Sequence, residues 1–103
     1  MDRVVDLTEV VVREITENVT LGVHDADSYF LRDDTTHTYS FVSVPHQDPQ
    51  DSLIVMMVRV IDENKVIIET DHTDRPLYNA LIEAGVPRSQ IIRAYAGKKE
   101  PEL

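Results

Sequence analysis

The chain has 103 residues, 19 Asp and Glu against 10 Lys and Arg, a formal net charge of −9, and no cysteine. That length supports one domain, residues 1–103, with a modest core. The missing cysteine excludes a disulfide framework, a thiolate nucleophile and any zinc site built on sulfur. So acidic a balance is poorly suited to holding nucleic acid, because such binders use Lys and Arg to displace counterions from phosphates.

The acids crowd the first two thirds, whereas the stretch from Lys65 onward carries as many bases as acids. Apolar runs fall short of the roughly 18 residues of a membrane span. The opening residues MDRVVDLTEV lack the apolar core of a secretion signal. A soluble, cytoplasmic protein with no membrane partner is the expectation.

The N-terminal segment reads as an amphipathic helix. Val4, Leu7, Val11, Ile15 and Val19 recur at steps of three and four with Val5 and Val12 beside them, while Asp6, Glu9, Arg13 and Thr16 mark the opposite side. Val10 falls outside the stripe. The many β-branched residues lower helix propensity, so packing on a sheet must help hold it.

Strands follow. SYFLR (28–32) and THTYSFVSV (36–44) flank the polar DDT, and Tyr39 and Phe41 alternate with Thr38 and Ser40, the pattern of a half-buried antiparallel hairpin. PHQDPQDS (45–52) reads as an exposed loop. In LIVMMVRVI (53–61) Arg59 is the only polar residue. Periodicity alone leaves helix and strand open there, but the β-branched content and the DENK turn into VIIET (66–70) favour a second hairpin. Its two methionines read as core filling, and Arg59 is expected to lie on a solvated face or to pair with a carboxylate such as Glu69 across the hairpin.

A second helix follows. Thr73 or Asp74 can cap it, Pro76 suits its first turn, and Leu77, Ala80, Leu81 and Ala84 line one face. Gly85 ends it in the left-handed conformation, Val86 folds back on the last turn, and Pro87 turns the chain into IIRAY (91–95), a final strand or extended segment. The tail GKKEPEL is expected to fray. The fold class is therefore α+β: an N-terminal helix, an antiparallel sheet of about four strands built from hairpins, a second helix and a short C-terminal strand.

Two polar clusters, Asp71–His72–Asp74 and His24–Asp25–Asp27, have the residue types of a divalent-metal or general-base site. Both fall where turns and helix caps are expected, which explains them more simply. Ser28, Ser40, Ser43, Ser52 and Ser89 lack GxSxG surroundings, and no phosphate-binding glycine loop occurs. No catalytic residue, cofactor or metal ligand is assigned, and a non-enzyme is expected.

The order KVIIETDHTDRPLYNALIEAGVPRSQIIRAYAG resembles the ending of the XisI-like proteins, the excision controlling factors of the cyanobacterial fdxN element. KVII stands for the family's KIWI strand, LYNALIEA for its helix, Gly85-Val86-Pro87 for its GVP turn, and IIRAY for its last apolar stretch. DDTTHTYSFVSV is similar to the family's acidic turn and tyrosine-bearing strand. The likeness runs from about Asp33 to Gly97. It departs in having no tryptophan, with Pro45 and Ile67 where the family often carries one.

The resemblance implies an α+β regulatory protein that controls excision by a separate recombinase, commonly paired with XisH, a small nuclease-like protein. Combined with the charge, it suggests that acidic residues dock on a basic XisH-like partner, through Asp6, Glu9 and Glu17 of the first helix or through Asp33 and Asp34. DNA would then be reached only indirectly. The alternative is direct DNA contact by Arg88, Arg93, Lys98 and Lys99. A homo-oligomer is compatible with so small a sheet protein.

Overall fold

In the computed structural model, residues 6–21, 24–73 and 76–97 are described. Helix α1 (Leu7–Leu21) leads into strands β1 (Ala26–Asp33), β2 (Thr38–Pro45), β3 (Leu53–Ile61) and β4 (Lys65–Asp71). Helix α2 (Leu77–Glu83) and strand β5 (Ile91–Arg93) complete the fold. The sheet has the sequential order β1-β2-β3-β4-β5. Its first four strands form an antiparallel meander.

Both hairpins form where the alternation and turn residues place them. In the second, Asp62 and Glu63 both take positive φ, 54° and 61°, the mirror-image geometry that suits the twist of paired strands. The fifth strand differs from the expected antiparallel sheet of about four. Val66 pairs with Ile91 and Ile68 with Arg93, and β5 runs parallel to β4. The reason is α2, which carries the chain back along the sheet, so that the next strand starts at the end where β4 started. The strand stops at Arg93, and Ala94–Ala96 form a 3-10 turn in place of the rest of the expected extended segment.

Both helices lie on one face. α1 packs on β1, β2 and β3 and against α2, and α2 packs on β4. Between helices and sheet sit Leu7, Val11, Ile15, Tyr39, Phe41 and Met56, joined by Val58, Ile68, Leu81 and Ile91, all buried. Val10 corrects the expected stripe: it is buried too, at 7% exposure. Packing over three strands and a second helix at once widens the apolar arc that α1 needs. Val4 and Val5 lie outside the described residues.

The corner after α2 is a Schellman motif. The Gly85 amide donates to the Ile82 carbonyl at 3.0 Å and the Val86 amide to the Leu81 carbonyl at 2.9 Å, satisfying carbonyls that the helix end leaves open. Gly85 has φ +100°, and Val86 is 2% exposed. Gly85, Val86 and Pro87 thus have architectural tasks: a left-handed turn, a buried anchor and a stop.

Candidate functional site

The start of α2 is built differently from expectation. Asp74, one of the two expected caps, lies outside the described residues; the first amide of the helix is held by the last residue of β4. Asp71 accepts from the Leu77 amide through Oδ2 at 2.7 Å, and through Oδ1 from the Thr73 amide at 2.9 Å and the Thr73 hydroxyl at 2.6 Å. Both carboxylate oxygens are therefore committed to holding strand, loop and helix together.

The other polar cluster is also drawn into structure. Asp27 meets His46 Nε2 at 3.1 Å, and the His46 amide donates to the Asp25 carbonyl, which ties the start of β1 to the end of β2. Among the described residues no three His, Cys, Asp or Glu side chains come together in a metal-binding group. Among the same residues, no helix is long and apolar enough to cross a membrane.

The acidic residues are arranged by the meander. Alternate turns of such a sheet fall at one end, so the β1–β2 turn with Asp33 and Asp34 lies on the same side as the β3–β4 turn with Asp62 and Glu63. The beginning of α1 joins them there. Thr8 shares one depression with Thr36, His37, Asp62 and Glu63, and Glu9 shares a neighbouring groove with Arg13 and Arg32. The result is an acidic end, exposed at Asp6, Glu9, Asp33, Asp34, Asp62 and Glu63. Asp62 and Glu63 were read in the sequence only as turn residues.

These carboxylates are not equivalent. Asp6 caps α1, accepting from the Glu9 amide at 3.2 Å. Asp33 accepts from the Thr36 hydroxyl and the Thr35 amide, each at 2.9 Å; the hydroxyl first and the amide second hold its carboxyl below the usual value. Asp34 accepts from Arg32 Nε at 2.7 Å, which raises the guanidinium's own pKa. Arg32 also lies 5.6 Å above the buried Tyr39 ring. Glu17 stands apart, two turns beyond Glu9, on the rim of a groove between α1 and Ala80 of α2. Of the residues nominated for docking, the structure brings Asp6, Glu9, Asp33 and Asp34 to one end and leaves Glu17 away from it.

Of the four basic residues nominated for DNA contact, two lie among the described residues. Arg88 is exposed, whereas the Arg93 guanidinium stacks 4.3 Å from the Tyr78 ring centroid and is half-buried. Lys98 and Lys99 lie outside the described residues. Arg59 and Glu69 do pair across the hairpin, Nε to Oε2 at 3.7 Å. A bulge helps: the register passes from Met57–Thr70 to Val58–Ile68, leaving Glu69 as the extra residue of β4.

A search of curated proteins finds no match. Among solved structures, the chain is similar to a XisI-like protein from Anabaena variabilis ATCC 29413, with 24% identity, a TM-score of 0.75, and coverage of 84% of this chain and 81% of that one. It is also similar to the fdxN element excision controlling factor XisI from the same organism, at 18% identity and a TM-score of 0.67 over 85% and 82% of the two chains. At these identities the likeness shows a shared fold. The family described as XisI protein matches residues 1–103, and the chain belongs to the XisI family.

Proposed function

We propose that this chain is a non-catalytic regulator of DNA excision that acts by docking its acidic end on a basic, nuclease-related partner of the XisH type. Membership of the family and the similarity to an excision controlling factor supply the process. The observation that carries the docking mode is the meeting of two acidic turns and the first turn of α1 at one end of the sheet. Such a surface speeds encounter with a positive partner and disfavours nucleic acid, which supports a reading in which the partner makes the DNA contact.

The test is co-expression with the nuclease-like small protein of the same genome, followed by size exclusion with light scattering. A complex of defined mass is expected. Reversing Glu9, Asp34 and Glu63 together to Lys is expected to weaken it by at least about tenfold, mainly through slower association at low salt. These positions avoid the Asp6 and Asp33 hydrogen bonds, so the fold is spared. Affinity unchanged by the triple reversal would refute the docking surface, and retardation of element-end DNA by this chain alone would favour direct contact through the basic residues.

A further inference from the structure

The helices cover one face of the sheet, and among the described residues no helix covers the opposite face. Across it lie Tyr29 and Leu31 on β1, Val42 on β2, Met57 on β3, Ile67 on β4 and Ile92 on β5. Strand pairing sets Tyr29 beside Val42 and Ile67 beside Ile92. Val42 also pairs with Ile54. Tyr29, Leu31 and Ile54 are 49%, 53% and 46% exposed. Near the centre sit Arg59, on the middle strand, and Glu69 beside it. Their 3.7 Å approach is too long for a hydrogen bond, and Arg59 Nε is shielded from solvent without a hydrogen-bond partner.

We propose that this face binds a second copy of the chain, sheet against sheet, with each Arg59 seated over the other copy's Glu69. Antiparallel sheets pack face to face about 10 Å apart with strands nearly aligned. A two-fold axis parallel to the strands and above the β3–β4 seam brings Arg59 of each copy over Glu69 of the other, which is the self-complementarity an isologous interface requires. The central charges then sum to zero, and the unpartnered Nε gains an acceptor.

Size agrees with that occupant. The axis above the β3–β4 seam overlaps β2 to β5 of the two copies, and four strands about 4.8 Å apart, each about six residues long, give a face of roughly 400 Å² in plan, and more when side-chain relief is followed. This is the order of the ~800 Å² per partner that stable interfaces bury. A strand-parallel axis leaves the acidic ends of both copies at the same end of the dimer, with the β3–β4 turns carrying Asp62 and Glu63 across the axis from one another, so the dimer of two chains of charge −9 is expected to tighten as salt screens them. A basic partner has the acidic end to bind and gains nothing from a neutral apolar face. The apolar flanks supply the affinity, and the ion pairs set the register.

The experiment is sedimentation equilibrium of the purified chain alone, at concentrations up to on the order of 100 µM, with circular dichroism as the control for folding. The expected species has twice the 11.8 kDa of one chain. Arg59→Glu and Glu69→Arg each place like charges in both crossed pairs and are expected to weaken association by at least about tenfold. An equimolar mixture of the two variants makes every crossed pair complementary, and dimer is expected to return. Ile67→Lys, on the open face of β4 and outside the core cluster, is expected to weaken the dimer without affecting folding. A monomer throughout the range, a dimer indifferent to Ile67→Lys and to both charge reversals, or a mixture of the reversed variants that stays monomeric would overturn the proposal.

Discussion

Replacing Asp71 with Ala tests whether a single carboxylate at the end of β4 holds the second helix in place. The side chain accepts from the Leu77 amide, the Thr73 amide and the Thr73 hydroxyl. Truncation removes a helix cap, typically about 1 kcal/mol. It also removes the acceptor of the Thr73 amide and hydroxyl in the loop, at about 1–2 kcal/mol more. The sum is about 2–3 kcal/mol, which in a domain of this size lowers Tm by roughly 10–20 °C. Thermal and urea unfolding followed by circular dichroism measure it. Asp71→Asn keeps one acceptor oxygen and is expected to fall between wild type and Asp71→Ala. A loss below about 0.5 kcal/mol would refute the capping role, since surface substitutions without a structural task stay within that range. Stabilisation of the wild type by a divalent ion, abolished by His72→Ala, would instead return Asp71 to the metal-ligand reading.

Two further tests probe the turns. Gly85→Ala is expected to cost about 1–2 kcal/mol. A Cβ at that position meets nothing within 4 Å, so the cost is that of φ +100° alone; a neutral or stabilising result in urea unfolding would show that the turn relaxes. For Asp33 the hydrogen bonds lower the folded pKa below the ordinary 3.8. Its contribution to the β1–β2 turn is therefore present above that value and is lost as pH falls through the lowered one. An NMR titration of the Thr35 amide is expected to show a midpoint below 3.8 that moves upward in Thr36→Val; a wild-type midpoint at or above 3.8 would contradict the hydrogen bonds.

The two hairpins were legible because alternation and turn chemistry are local signals, and the Gly85–Val86–Pro87 corner because each residue has a narrow conformational task. Asp71 was missed as a cap for a physical reason. Capping rules look to the residue just before a helix, whereas here the acceptor reaches forward six positions from the end of a strand. The parallel direction of β5 follows from the helix between it and β4, a signal present in the sequence but not used. The acidic end was only half legible. Asp33 and Asp34 stood out by composition, but their neighbours Asp62 and Glu63 join them only once the order of the strands is known. Glu17 shows the converse: a shared helix was too coarse a guide, because two turns of α1 carry a side chain about 12 Å along the axis.

The sequential order of the strands also fixes how the molecule comes together in time. Every pairing within the meander joins strands that are neighbours in the chain, so each hairpin closes with a short loop and small entropy loss. The β4–β5 seam is different: Val66 meets Ile91 only after α2 has formed and the corner at Gly85 has turned. That topology favours folding from hairpins to crossover, and β5 is expected to dock last. The reverse path releases three residues, baring one edge of β4 and the core residue Ile91, while the four-stranded meander stays paired.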